Sequence, residues 1–178
     1  MTQTEASLLG GWSSFYVMIG SSAAALTGLM FVVISVVTGM ERTARTRDGV
    51  SVFSTPTVVH FCAALFVSAV LVAPWRSLLP PALVIALAGL YGIVYLTRIF
   101  FLTRRMTGYT PDAEDWSWYT ILPFVATVVI FAGSLALPVA EAQALYAIAA
   151  GVVLLIFIGI HNAWDVVTFL AVRRDDLP

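Results

Sequence analysis

His60, Arg98, His161 and Asp165 stand inside apolar stretches of this chain, where no water would solvate them. A charge facing lipid costs about 2.5–3.5 kcal/mol on insertion scales, so each of these groups needs a partner, a nearby interface or a task. The densest string is His161-Asn162-Ala163-Trp164-Asp165, and helical spacing puts His161, Asp165 and Thr168 on one face. Upstream, Tyr91, Tyr95 and Arg98 share the i, i+4, i+7 spacing. If the two stripes face each other, Arg98 and Asp165 neutralise one another, and a tyrosine hydroxyl or Asn162 completes the hydrogen bonds.

Several chemistries fit these residue types. The bland one is a structural polar clamp, or Arg98 and Asp165 snorkelling to the interface with Trp164 as a belt aromatic. A proton or ion pathway would use His161 as the titrating group, Asp165 as its charge partner, and His60 and Arg98 to set the local field. A bis-histidine haem would take His60 and His161 as axial ligands, and a divalent metal would take His60, His161 and Asp165. With Pro56, Leu102 and Val172 as helix ends on one side, a rise of about 1.5 Å per residue puts His60 and Arg98 about 6 Å deep, Asp165 about 10 Å and His161 about 16 Å. The offset between the histidines counts against haem and metal, so no cofactor is expected. Gly-rich phosphate loops, HExxH pairs and GxSxG elbows are missing, and enzymatic activity is not expected.

The elements that position these groups follow from composition. Of 178 residues, 60% are hydrophobic and 11% charged, with a net charge of −1 and a mean hydropathy of +0.95. Soluble domains carry about a quarter charged residues, so the solvent of this chain is lipid. A soluble enzyme, a disordered regulator and a nucleic-acid binder are excluded. The expected fold is all-α, a single domain of five transmembrane helices near 12–39, 56–73, 82–102, 117–137 and 144–172, since about 20 helical residues cross the hydrocarbon core. Thr55-Pro56, Pro80-Pro81 and Thr110-Pro111 offer prolines to first turns, and Pro74 and Pro138 stop helices. The acidic run Asp112, Glu114 and Asp115 reads as compensation of a helix dipole.

Orientation follows from arginine. Arg42, Arg45, Arg47, Arg104, Arg105, Arg173 and Arg174 would share one side and Arg76 the other, which puts the N-terminus outside and the C-terminus in the cytoplasm of a bacterial inner membrane. Lysine is absent, in keeping with a GC-rich bacterial genome. The first apolar run is too long for a signal peptide and reads as a retained helix. Trp12, Trp75, Trp116 and Trp118 fall at expected membrane–water boundaries. Cys62, the single cysteine, reads as a packed hydrophobe.

Small residues recur at helical spacing. Gly20, Ala24 and Gly28 in the first helix, and Gly159 and Ala163 in the last, invite close helix approach, within the chain or with a homo-oligomer or another membrane protein. The surrounding string, Gly20-Ser21-Ser22-Ala23-Ala24-Ala25-Leu26-Thr27-Gly28-Leu29-Met30-Phe31-Val32, resembles the first helix of small bacterial integral membrane proteins, some of which carry the label of FtsH protease modulators. That resemblance implies a small multi-pass protein and carries over no functional residue. The expected function is a non-enzymatic accessory or regulatory subunit acting through helix–helix contacts. A small transporter or channel subunit built on the His/Asp/Arg cluster is the alternative, and a haem- or metal-binding membrane protein a further one.

Overall fold

The structure, a computed structural model, describes residues 3–40, 44–103 and 113–175. The apolar runs become long helices: α1 (Gln3–Met40), α2 (Ala44–Val72) and α3 (Leu79–Thr103). A short α4 (Ala113–Trp116), a π-helical turn (Ser117–Ile121) and α5 (Leu122–Ala136) follow as one rod, then α6 (Glu141–Asp175). No strand occurs among the described residues. Leu9–Ser35, Leu79–Phe101, Ser117–Ala136 and Glu141–Asp165 are long and apolar enough to cross a membrane, whereas the apolar part of α2, Thr57–Val72, is shorter. This is the build of a multi-pass membrane protein.

The exposed surface agrees. Leu29, Phe31, Leu87 and Phe157 are each more than 60% exposed, a cover that water would penalise and lipid tails accept. The hydroxyls of Ser22, Thr27, Ser35, Thr97 and Thr127 donate to carbonyls one turn back on their own helices, which satisfies them without solvent.

α6 is the axis of the bundle. Of its apolar span 56% is buried, against 22–33% for the other spans. α2 and α5 flank it, α1 packs on α2 and α3 packs on α5. Glycines allow the closest approaches: a Cβ on Gly151 would lie 2.5 Å from Ile130 Cγ1, and one on Gly159 would strike the ring of buried Phe61. Where α1 crosses α6, the buried Tyr16 hydroxyl donates to the Leu145 carbonyl at 3.1 Å.

Two expectations are corrected, and the bounds of the last helix shift by less than one turn at each end. α2 is helical from Ala44, so Pro56 lies inside a helix and not in its first turn. A formed helix extends past the end of an apolar run at one hydrogen bond per added residue. The last helix runs from Glu141 to Asp175, beyond the expected 144–172. The first begins at Gln3, well before Trp12. Pro80 and Pro81 sit in the first turn of α3, and Pro74 and Pro138 follow the ends of α2 and α5, as read. Thr110, Pro111 and Asp112 lie outside the described residues.

Candidate polar sites at one end of the bundle

The π-turn positions the first site. Pro123 has no N–H to donate, and its ring would strike the carbonyl four residues back in a regular α-helix. The chain widens by one residue just before it, and the Leu122 N–H reaches the Ser117 carbonyl, an i−5 bond. This brings Trp118 over α6, where its ring stacks on His161 with centroids 3.8 Å apart and planes 6° from parallel. Sequence reasoning missed this turn, although an interior proline in an apolar span was its signal.

His161 is three-quarters covered, with a side-chain exposure of 27%. Its Nδ1 lies 3.3 Å from Asp165 Oδ2, within ion-pair reach but off hydrogen-bond alignment. Its Nε2 lies 3.8 Å from Oε1 of the exposed Glu114. Thr168 is bonded to its own helix, donating to the Trp164 and Asp165 carbonyls, and Trp164 is exposed. The i, i+4 reading of His161 with Asp165 therefore describes a real contact, and Glu114 is a neighbour that the sequence did not announce.

The expected Arg98–Asp165 pair does not form. α5 stands between α3 and α6, Arg98 is exposed on the outer face of α3, and Asp165 is paired with His161. Tyr91 and Tyr95 of α3 stack on each other with centroids 6.4 Å apart, Tyr91 exposed and Tyr95 half-buried.

The histidine depths also change. Phe61 of α2 packs on Gly159 of α6, so His60 and His161 lie within about one turn of a common level. The earlier offset assumed that Pro56 and Val172 mark one boundary, and α2 extends well past Pro56. They still do not converge. His161 turns to Trp118, whereas His60, 4% exposed, lines a groove with Val59, Ala63, Tyr95, Leu96, Thr127 and Leu155. Among the described residues no group of three His, Cys, Asp or Glu side chains is placed to hold a metal, and His60, His161 and Asp165 form no ligand set. Neither this groove nor a second one lined by Leu9, Ser13, Leu71 and Trp75 is lined by His161 or Asp165.

Asn162 is fully buried, and neither its amide nitrogen nor its oxygen has a hydrogen-bond partner; the same holds for Nε2 of His60. Such groups are expensive in a dry interior.

The small-residue stripe of α1 divides. Gly20 is buried, and a Cβ there would meet Ser68 Cβ at 3.2 Å, whereas Ala24 is exposed and Gly28 has nothing within 4 Å. Eight residues overshoot two helical turns by about 80°, so positions 20 and 28 cannot face one straight neighbour. The buried face instead carries Tyr16, Gly20, Ala23 and Met30. In α6, Gly159 packs within the chain and Ala163 is half-buried. Cys62, expected to be packed, is exposed on the lipid-facing side of α2. Comparison of the chain with family models, curated proteins and solved structures finds no match.

Proposed function

We propose that this chain is a non-enzymatic accessory or regulatory subunit of a bacterial cytoplasmic membrane, which binds another membrane helix along the outer face of α1. One observation carries the reading: Ser21, Ala24, Ala25 and Gly28 are all exposed, and the space around Gly28 is open. Large residues such as Leu83, Leu87 and Phe157 cover much of the outer surface of the other helices. A patch of small residues forfeits dispersion contacts with lipid tails, and a second helix seated closely on it recovers them. The resemblance of this helix to those of small bacterial membrane proteins points the same way.

The threading belongs to the same proposal. α2 packs along both α1 and α6 through its apolar half, which supports five crossings. The arginine distribution then supports an outside N-terminus and a cytoplasmic C-terminus. A reporter fused after Pro178 should behave as cytoplasmic, and a periplasmic one would overturn the threading. Ion movement draws less support, because His161 contacts Asp165 and Glu114, and neither His161 nor Asp165 lines a groove.

Ala24→Leu and Gly28→Leu should each abolish a co-purifying complex or self-association in energy-transfer assays, while the chain itself stays folded. Gly20→Leu should instead destabilise the isolated chain, since it strikes Ser68. Assembly unchanged in both outer variants would sink the proposal.

A further inference from the structure

The long helices pair off, α1 with α2 and α3 with α5, and α6 joins the two pairs; α2 and α3 barely touch. The Tyr16 hydroxyl ties the first pair to α6 at one end, and the Trp118–His161 stack holds the α5 rod on α6 at the other. Between α2 and α5, at the His161 end, runs a seam that holds two polar side chains. Asn162 follows Leu155 by two turns on one face of α6, and Leu155 and His60 line a common groove, so Asn162 and His60 look into the same seam. Phe61 packed on Gly159 puts them within about one turn of a common level.

Neither side chain is satisfied. Asn162 is fully buried with no partner for its amide nitrogen or oxygen, and His60 is buried with no partner for Nε2. Ser68 Oγ, also buried and without a partner, differs in kind. A hydroxyl rotates onto the carbonyl one turn back on its own helix, as those of Ser22 and Ser35 do. The Asn162 oxygen instead needs a donor, and a helix interior has none to spare, since its N–H groups already serve its own carbonyls. The three atoms of Asn162 and His60 are sealed, so water joins them only if the helices part. The closed seam therefore carries a cost that hydration removes.

We propose that the α1–α2 pair rocks on α6 about its Tyr16 end, which opens the seam between α2 and α5 at the His161 end and admits water to Asn162 and His60. The pivot is the end that keeps a buried hydrogen bond between helices. The moving face is the one whose polar groups gain partners by moving, and α3 gives α2 little support against it. Water that binds only the open form shifts the balance toward it. The motion needs no partner on the outer face of α1, and the Trp118–His161 stack travels with α6 throughout.

Thiol labelling of the full chain in phospholipid nanodiscs reads the opening. Ala64 is fully buried one turn from His60 on the same side of α2, and Ala144 is buried beside the pivot. With Cys62→Ala removing the native thiol, Ala64→Cys should react with a charged, water-soluble thiol reagent much faster than Ala144→Cys does. Adding Asn162→Leu, which nearly keeps the volume and drops the amide, should slow the Ala64→Cys reaction about tenfold, the weight of one unsatisfied buried amide. His60→Leu should slow it as well. Asn162→Leu alone should raise the melting temperature of the otherwise wild-type chain, a readout that needs no cysteine. Equal rates at Ala64→Cys and Ala144→Cys would mean that only whole-chain unfolding exposes the seam, and would overturn the proposal. So would a rate indifferent to Asn162→Leu, or an Asn162→Leu chain less stable than wild type.

Discussion

Gly151→Ala and Gly28→Ala are the same chemical change in two exposures, and the structure assigns them opposite signs. In a helix with open surroundings, replacing glycine by alanine stabilises by about 0.5–1 kcal/mol, because glycine loses more backbone freedom on folding. Gly28 has nothing within 4 Å of a Cβ, so Gly28→Ala should realise that gain in the isolated chain. At Gly151 the new carbon would lie 2.5 Å from Ile130 Cγ1, 3.1 Å from the Ala126 carbonyl oxygen and 3.2 Å from Ile130 Cδ1. Carbon pairs settle at about 3.5–4.0 Å, so α5 and α6 must part or Ile130 must leave its rotamer. Neither is easy: Ile130 is 4% exposed and β-branched, and the carbonyl belongs to backbone. Overpacking of this kind costs about 1–3 kcal/mol, which exceeds the propensity gain. The net expectation is a loss of roughly 1–2 kcal/mol at Gly151.

Thermal or denaturant unfolding in one detergent, at a dilution where the chain is monomeric, reads both variants. The double variant Gly151→Ala with Ile130→Ala removes the struck atom and should cost about 1 kcal/mol less than the sum of its parts. A Gly151→Ala protein as stable as wild type would refute the reasoning, since it would mean that α5 and α6 do not meet there. A Gly28→Ala protein less stable than wild type would mean that the outer face of α1 is already packed within the chain.

Three further outcomes follow from single contacts. Tyr16→Phe removes the hydroxyl that bonds the Leu145 carbonyl, and the melting temperature in detergent should fall by the equivalent of about 0.5–1.5 kcal/mol. Pro123→Ala restores a backbone donor and lets the π-turn close, which swings Trp118 off His161; the ring-current shift of the His161 protons should then disappear, and an unchanged shift would argue that proline does not cause the turn. Gly159→Ala sets a methyl against the ring of buried Phe61, and the melting temperature in detergent should fall by the equivalent of about 1–3 kcal/mol; a protein as stable as wild type would mean that α2 and α6 do not meet there.

What could be read from the residues follows a physical division. Helix existence was legible because lipid admits only backbone that bonds to itself, and apolar length records that demand directly. Helix ends were legible where Pro80, Pro81, Pro74 and Pro138 interrupt the backbone, and were misplaced at Pro56, where hydropathy falls but the helix continues. Contacts within one helix were legible too, since His161 and Asp165 meet through spacing alone. The failures lie between helices. Arg98 and Asp165 were paired because each is costly alone, but which helices adjoin is decided by how glycines and bulky residues interlock, and those terms put α5 between them.

The same separation explains the two polar groups of the groove and the bundle end. Once α3 is held away from α6, Arg98 is left on the lipid-facing surface and His60 looks into the gap beside it. Neither group has a partner among the described residues, so the cost that made each conspicuous in the sequence could not tell which helix it would face.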